Sequence, residues 1–436
     1  MQKNRINSIL SILLVLFFIG NGHVVNAQET DALGTYTPYS LYGLGEISKP
    51  GTAMNKGMGG IGTGLRNNRY INSMNPASIT ARDTLAFMLD FGMDSKNIYS
   101  SDGNNKSAYN TFSVNNFVFT APIYKKSALI VGINPYSNIG YKLEATENDP
   151  YLVSKYGDIK YQKYGEGSIS QLFLGAAMNI TKNFSVGAEY IYYFGAMDRY
   201  SNVNFNSDAS LRNLQTGFDY ALGASSGMVG LQYFGKLDKE KNVELTLGAT
   251  YRFATKLKGD FAKFAYAKGA SVDTIMHEEI DNFHANIPEE IAVGFTVKKK
   301  DKWMFGADYM RQDWTGEYFE TAVSDFRYEA TTANYFKAGF EFTPNKYDIR
   351  YYMKRVTYRL GAYYEQSYMK VNGEQVNSAG ITVGMSLPVK MYNAVNFAVD
   401  FGQRGSVTKN LVRERYVKFI LNISLYDIWF LKYRYD

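Results

Sequence analysis

The sequence has no cysteine, three histidines and nine prolines in 436 residues, and no long apolar run after residue 27. Without cysteine there is no disulfide framework, no thiol nucleophile and no lipid-modified cysteine. A membrane-spanning helix needs about 20 consecutive apolar residues. A helical membrane protein is therefore excluded, and so is a fold held together by disulfide bonds.

The first 27 residues have the order of a secretory signal peptide. Lys3 and Arg5 precede the apolar run at residues 9–20, and a small-residue cleavage pattern ends at Ala27. An uncleaved anchor helix is disfavoured because the run is too short to span a bilayer. We predict export, with residues 1–27 as the signal peptide. The 45 basic and 41 acidic residues that remain carry a net charge too small and too dispersed for a nucleic-acid partner.

Aromatic residues and glycine are abundant, with 37 Tyr, 28 Phe and 39 Gly. A membrane β-barrel accounts for this composition, because half of each strand faces lipid, the other half faces a polar lumen, and aromatic girdles mark both interfaces. A soluble β-rich protein is the alternative that composition alone leaves open.

Period-two alternation decides between the two classes. Residues 243–253 place Val243, Leu245 and Leu247 on one face and polar or small residues on the other. The same alternation recurs at residues 186–194, 291–297, 303–309, 356–365, 395–402 and 417–425. Each run has about the 9 to 11 residues that a tilted membrane strand requires. We therefore predict an all-β transmembrane antiparallel barrel.

Fourteen candidate strands follow from this pattern, an even number that returns both termini to the periplasm. They lie near residues 84–98, 110–121, 127–143, 168–180, 184–196, 218–236, 243–257, 288–299, 302–313, 334–343, 354–369, 378–389, 393–404 and 415–433. Short turns at 181–183, 299–301 and 390–392 alternate with polar loops at 144–167, 197–217 and 315–334. Residues 260–286 are ambiguous and could hold another hairpin.

Residues 28–82 lack sustained alternation and contain a glycine-rich run at 57–64, followed by Asn75, Pro76 and Ala77. A phosphate-binding loop needs a preceding strand and a following helix, and neither is predicted here. Irregular backbone is tolerated at membrane depth only inside protein or a watery cavity. We predict that residues 28–82 form a plug, or hatch, inside a barrel of residues 83–436.

These motifs resemble the FadL/TodX-type outer-membrane transporters of long-chain fatty acids and other hydrophobic compounds. The resemblance covers most of the mature chain and includes the Asn75, Pro76 and Ala77 plug motif, the block beginning at Pro288, and paired strands that carry Asp308 and end at Trp314. It implies a 14-stranded barrel with an N-terminal hatch in the outer membrane. It also implies hydrophobic small molecules or lipids as partners, and the barrel-assembly machinery during biogenesis.

The third predicted strand carries proline in its interior, within Asn134, Pro135 and Tyr136, with Gly140 following. Proline cannot donate to a strand ladder and belongs at edges, bulges or breaks. In the family this strand has a kink that opens the wall sideways, so the resemblance implies lateral exit of an apolar ligand near Pro135. An ordinary bulge near the outer rim is the alternative interpretation.

An enzyme is disfavoured, because histidine is the commonest general base and the mature chain offers only His277 and His284. Their spacing fits no usual zinc motif, and we predict no metal, cofactor or catalytic residue. The Asp102 to Asn105 stretch is expected to be a loop rather than a calcium site. The alternative function is a docking or secretion component, like the type IX secretion shuttle proteins that also carry an Asn-Pro-Ala plug motif. A free aqueous porin is disfavoured by the plug.

Overall fold

The wall of the molecule is one antiparallel sheet closed on itself through fourteen strand positions. The computed structural model describes residues 34–428 except 125, 207–210, 239, 270, 318–326 and 390–392, and leaves undescribed the side chains of 124, 281–284 and 410. The predicted signal peptide and the predicted turn at 390–392 lie outside the described residues. Leu33–Asp436 form one compact unit.

Eighteen strands are present among the described residues. They are β1 (Glu46–Ile47), β2 (Ala86–Ser101), β3 (Lys106–Tyr124), β4 (Ser127–Thr146), β5 (Ile159–Asn179), β6 (Phe184–Phe205), β7 (Asn213–Asp238), β8 (Val243–Arg252), β9 (Thr255–Lys268), β10 (Val272–Ile287), β11 (Glu290–Lys299), β12 (Trp303–Asp313), β13 (Tyr328–Ala330), β14 (Thr332–Phe342), β15 (Thr357–Val371), β16 (Glu374–Pro388), β17 (Ala394–Arg404) and β18 (Arg413–Ile428).

In three places, two consecutive strands together fill one position of the wall, because the chain there is interrupted once. These pairs are β8 with β9, β10 with β11, and β13 with β14. β8 and β9 both pair with β7. On the other side, β11 pairs with β8 and β10 pairs with β9. The barrel closes where β18 pairs with β2, from Ile428 opposite Ala86 to Arg413 opposite Ser101. The predicted number of fourteen wall strands is confirmed. The two-residue strand β1 is not counted among them, because within the described residues it pairs only with Ser137 and Asn138 of β4.

The wall is apolar outside and polar inside, the reverse of a soluble barrel. On β6 the side chains of Tyr190, Tyr192 and Phe194 are exposed, whereas those of Glu189, Ile191 and Tyr193, which alternate with them along the strand, are buried. The same inversion is seen across the wall, where buried polar residues include Asp90, Asn116, Arg359, Asp400 and Asn422. Some of these groups hydrogen-bond to one another, as where Asp90 accepts from Ser424 at 2.6 Å and from Asn116 at 2.7 Å. This arrangement matches a barrel whose outer face contacts lipid.

Several strands are longer than the alternation predicted. The stretches 159–167 and 197–205 were expected to be loop, and that expectation is wrong, because β5 begins at Ile159 and β6 continues to Phe205. Strand pairing at the long-loop end needs backbone hydrogen bonds but no lipid-facing side chains, so the sequence there loses its apolar alternation. The ambiguous residues 260–286 form most of β9 and β10, which lengthen two existing wall positions and add no new ones.

Short helices occupy the remaining described segments: α1 (Ala53–Lys56), α2 (Pro150–Tyr156) and α3 (Tyr352–Arg355), with 3-10 turns at Pro38–Leu41, Pro76–Ala81 and Thr408–Asn410. In the part of the chain that the structure describes, no helix has both the length and the hydropathy needed to cross a bilayer. Residues 28–82 were expected to lack strands, and among the described ones, from residue 34 onward, this is wrong only for the two residues of β1.

Candidate functional site

The pairing between β3 and β4 covers only part of their length. It runs from Tyr124 opposite Ser127 to Phe117 opposite Ile133 and then stops. Beyond that point β3 remains bonded to β2 and β4 remains bonded to β5. Among the described strands, no ladder joins residues 106–116 of β3 to residues 134–146 of β4. The wall therefore has an interval, from mid-height to the long-loop end, where two neighbouring strands are not hydrogen-bonded to each other.

The predicted kink residues lie where this ladder ends. Pro135 has no N–H to donate, and the register of β4 against β5 shifts between Pro135 and Ser137, which leaves Tyr136 as a bulge. The Tyr136 ring is buried edge-on against Tyr193, with 5.0 Å between ring centroids. Asn134 accepts a hydrogen bond from the Gln171 amide at 3.2 Å.

Residues 34–48, which we call the edge segment, run along the free edge of β4. Within it, β1 pairs in antiparallel register with Ser137 and Asn138. The Ser48 N–H donates to the Tyr136 carbonyl at 2.8 Å, and the Thr37 N–H donates to the Gly140 carbonyl at 2.8 Å. The edge segment thus takes hydrogen bonds on β4 that a continuous wall would give to β3.

Gly140 is required for this close approach. A Cβ atom at Gly140 would lie 1.8 Å from the Thr35 carbonyl oxygen. The Gly140 N–H also donates to the Ser40 hydroxyl at 3.1 Å. The sequence singled out Gly140 without indicating which segment would meet it, because its partner lies about a hundred residues earlier in the chain.

One aromatic residue contacts both strands that border the interval. Tyr36 stacks on Tyr109 of β3 with 3.4 Å between ring centroids, and its hydroxyl donates to the Lys142 carbonyl of β4 at 2.7 Å. It therefore covers the interval toward the long-loop end.

A buried ionic cluster holds the edge segment from the lumen side. The Glu46 carboxylate is paired with Lys96 of β2 at 2.8 Å and with Arg404 of β17, and it accepts a hydrogen bond from Thr35. The Thr37 hydroxyl donates to Glu414 of β18 at 2.5 Å. These contacts span the closure of the barrel at β17, β18 and β2. Sequence inspection missed Glu46 and Tyr36, because neither lies in an alternating or motif-bearing stretch.

Residues 57–65, the glycine segment, are fixed differently. The Asp308 carboxylate of β12 accepts the N–H groups of Gly62 at 2.6 Å and Thr63 at 2.7 Å, and the Thr382 hydroxyl accepts from Gly59 at 2.8 Å. Wall glycines allow the two backbones to meet: a Cβ at Gly361 would lie 2.0 Å from the Gly59 nitrogen. Asp308, singled out only as a signature position, therefore anchors the glycine segment to the wall.

The Asn75, Pro76 and Ala77 motif forms the start of a 3-10 turn against the wall. The Asn75 side chain caps the turn by accepting from the Ala77 N–H at 3.0 Å and donates to the Thr63 carbonyl at 2.9 Å. A Cβ at Gly230 of β7 would lie 2.2 Å from the Asn75 Oδ1 atom. The motif therefore joins the glycine segment to a second set of wall strands.

The other predicted positions have local structural explanations. Pro288 is buried in the two-residue break between β10 and β11, where it interrupts the ladder opposite the break between β8 and β9. Trp314 follows β12 and is fully buried against Tyr368, with 4.7 Å between ring centroids. The structure does not bring Pro288 or Trp314 into the interval between β3 and β4.

Asp102, which was expected to lie in a loop, and His277 are both exposed. The Asp102 carboxylate accepts from the N–H groups of Asn104 at 2.9 Å and Asn105 at 2.6 Å, and these bonds lower the pKa of Asp102. His277 lies exposed on β10, 3.1 Å from Glu279. The His284 side chain lies outside the described part of the chain.

A cavity of about 100 Å³ lies inside the barrel behind the kink. Its lining includes Asn134, Pro135 and Tyr136 of β4 and Ile47 and Ser48 of the edge segment. The rest of the lining mixes apolar side chains, such as Phe173 and Met228, with charged ones, such as Glu189 and Arg252. The edge segment therefore separates an internal cavity from the unpaired interval of the wall.

Comparison with known proteins identifies both a family and a fold. The model of the BamG family matches residues 6–436. No curated protein matches the sequence. Among solved structures, the *Ralstonia pickettii* toluene transporter TbuX is 15% identical with a TM-score of 0.56, covering 86% of this chain and 98% of that one.

Two further solved structures give the same picture. The CymD monoaromatic hydrocarbon channel is 16% identical with a TM-score of 0.57, covering 87% of this chain and 97% of that one. A *Pseudomonas aeruginosa* FadL homologue is 13% identical with a TM-score of 0.55, covering 88% of this chain and all of that one. At these identities the likeness establishes the fold, and the resemblance to FadL/TodX-type barrels is confirmed at that level.

Proposed function

This chain belongs to the BamG family, and from that premise we propose that it is an exported outer-membrane barrel that transports hydrophobic compounds. The barrels that share its fold include a toluene transporter and a monoaromatic hydrocarbon channel. We further propose that the ligand leaves sideways into the membrane, through the interval between β3 and β4 at Pro135. No catalytic residue or cofactor is part of this function.

One observation carries the proposal: the β3 and β4 ladder ends at Ile133, two residues before Pro135, and beyond that point the edge segment, not β3, bonds to β4. The outer face beside the interval is apolar, since Phe112, Val114 and Phe117 of β3 are 62%, 54% and 46% exposed. An apolar ligand gains about 0.8 kcal/mol per CH₂ group on entering lipid and gains nothing by release into water. Sideways release follows the direction of favourable transfer.

In this proposal the N-terminal segment is a hatch with a fixed part and a movable part. The glycine segment and the Asn75, Pro76 and Ala77 turn stay on the wall through Asp308 and the wall glycines. The edge segment moves away from β4 and opens the cavity toward the interval. Pro288 and Trp314 act only as structural positions of the signature strands.

The test replaces the proline that ends the ladder. Pro135→Val restores an N–H donor at the kink and is expected to slow the uptake of hydrophobic ligand while barrel assembly stays normal. Surface abundance is measured in parallel by the heat-dependent gel mobility of the folded barrel. Unchanged uptake at normal abundance would remove lateral exit from the proposal.

A second candidate, docking of a protein partner, is favoured by the hairpin of β9 and β10. Residues 271–280 are exposed on both faces of β10, and among the described strands β10 pairs only with β9. Such an open edge is a template for strand addition by another chain. Val272 and Ile275, each 62% exposed, give this edge an apolar surface.

The two candidates predict different companions of the gently purified protein. Native mass spectrometry that finds a bound fatty acid or detergent-like molecule supports transport, whereas a stoichiometric protein supports docking. Because the chain has no cysteine, Ile275→Cys provides a unique crosslinking site on β10. A specific crosslinked partner at that site would favour docking over transport.

A further inference from the structure

Glu189 of β6 is a buried carboxyl group that forms no ion pair with any residue in the described part of the chain. It is 5% exposed and lines the cavity behind Pro135. Its Oε1 atom has no hydrogen-bond partner within the described part of the chain. A buried polar atom without a partner carries a desolvation penalty, which a hydrogen-bond donor brought by a ligand would remove.

The neighbouring strand makes room for this side chain. Glu189 lies opposite Gly175 of β5 in the antiparallel register, and a Cβ at Gly175 would lie 2.3 Å from the Glu189 Cγ atom. The next atom that such a Cβ would meet from another strand is Cγ2 of Ile130, at 3.0 Å. The Cγ methylene of Glu189 thus lies against a glycine and near an aliphatic side chain, and no group in the described part of the chain donates to Oε1.

A second carboxylate on the same cavity shows the contrast. In the register of the wall, Glu189 is followed by Met228, Arg252, Glu290 and Gln312 on successive strands. Glu290 is bound by Arg252 at 2.5 Å and by the Gln312 amide at 2.6 Å. Arg252 lies two strands from Glu189, about 10 Å along the wall, with Met228 between them.

The other cations of the cavity are also next to anions. Lys49 is paired with Glu365 at 3.3 Å. Lys337 lies directly opposite Asp308 in the pairing of β12 with β14. Glu189 has no such neighbour, since Ala188 and Tyr190 point out of the barrel and Phe173, Ile191 and Met228 are the apolar lining near it.

We propose that the cavity binds an apolar compound that carries a hydrogen-bond-donating head, above all a primary amine, and that Glu189 accepts the donor. The apolar body lies against Phe173, Ile191 and Met228, on the way to Pro135. This inference rests on the proposed transport function and narrows its ligand class. It separates this barrel from one that is selective for pure hydrocarbons or carboxylates.

The test uses three soluble probes of equal chain length: hexylamine, hexanol and hexanoate. Each is titrated calorimetrically into the full-length protein in lipid nanodiscs at pH 7.5, and the heats of empty nanodiscs are subtracted. We expect hexylamine to bind about tenfold more tightly than hexanoate, because charge-assisted hydrogen bonds are the strong ones. Glu189→Gln is expected to remove that preference.

Two further variants keep the result interpretable. Glu240→Gln, at an exposed turn position, is the matched control and should bind hexylamine as the unmodified protein does. Glu189→Asp keeps the charge but withdraws it by one CH₂ group, and should show an intermediate preference. Heat-dependent gel mobility confirms that each variant is folded.

Hexanoate binding at least as tightly as hexylamine, no binding of any probe, or a preference unchanged in folded Glu189→Gln would overturn the inference. The transport proposal is judged separately, by cellular uptake. If uptake depends on the barrel while Glu189→Gln keeps the amine preference, only the ligand class is wrong. If hexylamine binds through Glu189 but cells lacking the barrel show the same uptake, the site stands and transport falls.

Discussion

The glycine segment and the edge segment both contact the wall strands, but side chains contribute differently to the two attachments. The glycine segment touches the wall backbone to backbone, at glycines that leave no space for a Cβ, and Asp308 binds two of its N–H groups. The edge segment also meets a wall strand backbone to backbone, in the β1 pairing and at Gly140 of β4, and it is held in addition by side-chain hydrogen bonds and by the Glu46 ion pairs.

In the proposed function this difference separates a fixed attachment from a movable one. The backbone contacts of the glycine segment are spread over several wall strands, whereas the backbone contacts of the edge segment are with β4. Polar side-chain contacts can exchange for water when a ligand competes for the space. We expect the glycine segment to stay on the wall and only the edge segment to leave it.

Crowding the glycine contact should damage the whole barrel. Gly361→Ala places a Cβ 2.0 Å from the Gly59 nitrogen and is expected to lower the free energy of unfolding by about 3 kcal/mol. Denaturant titration in detergent measures it. Gly235→Ala, whose nearest contact would be an ordinary 3.4 Å, is the matched control, and equal losses in both variants would refute the glycine attachment.

Removing the charge of the anchor should have the next largest effect. Asp308→Asn weakens the acceptor for the Gly62 and Thr63 N–H groups and is expected to cost about 2 kcal/mol of unfolding free energy. Asp273→Asn removes the charge of an exposed ion pair with Arg212 and should cost less than about 1 kcal/mol. A smaller loss for Asp308→Asn than for this control would contradict the anchor role.

Breaking the ionic cluster should loosen the edge segment alone. Glu46→Gln weakens the pairs with Lys96 and Arg404, so amide exchange at Thr37 and Ser48 is expected to accelerate about tenfold. Exchange at Gly62 and Thr63 should not change. Hydrogen exchange read by mass spectrometry provides both values, and parallel acceleration in the two segments would show that they open as one unit.

The smallest effect is expected at the aromatic bridge. Tyr36→Ala removes the stack on Tyr109 and the bond to the Lys142 carbonyl. Such contacts are worth about 1 kcal/mol, so edge-segment exchange should rise about fivefold. Tyr99→Ala, an exposed residue of β2, should leave that exchange unaltered, and equal effects of the two would rule out a bridging role.

The wall strands were predictable from the sequence because apolar and polar side chains alternate along each strand that crosses the membrane. Residues 243–253 illustrate this, since every second side chain faces lipid. Residues 272–280 of β10 could not be assigned, because both faces of this strand are exposed and no alternation is selected. Strand extensions beyond the membrane are set by pairing with neighbours rather than by their own side chains.

The candidate site was predictable only where it is local. Pro135 revealed a break because proline cannot donate to a ladder, and the end of the β3 and β4 pairing coincides with it, while its role in lateral exit stays a prediction. The partners of Gly140 and Asp308 were not predictable, because about 100 and 250 residues separate them from the segments that they meet. Glu189 was missed because a single glutamate on the polar face of a strand is expected for any residue that faces the lumen of a barrel.

The most direct measurement locks the edge segment to β4 and follows uptake. Ile47 and Ser137 are directly opposed in the antiparallel pair, a separation of about 4.5 to 5.5 Å between Cα atoms that a disulfide accepts, and the chain has no other cysteine. The oxidised Ile47→Cys, Ser137→Cys double variant should lose ligand uptake and regain it on reduction, whereas an Ala338→Cys, Ala362→Cys pair across β14 and β15 should transport normally in both states. Uptake by the locked barrel equal to that of its reduced form would contradict the movable edge segment.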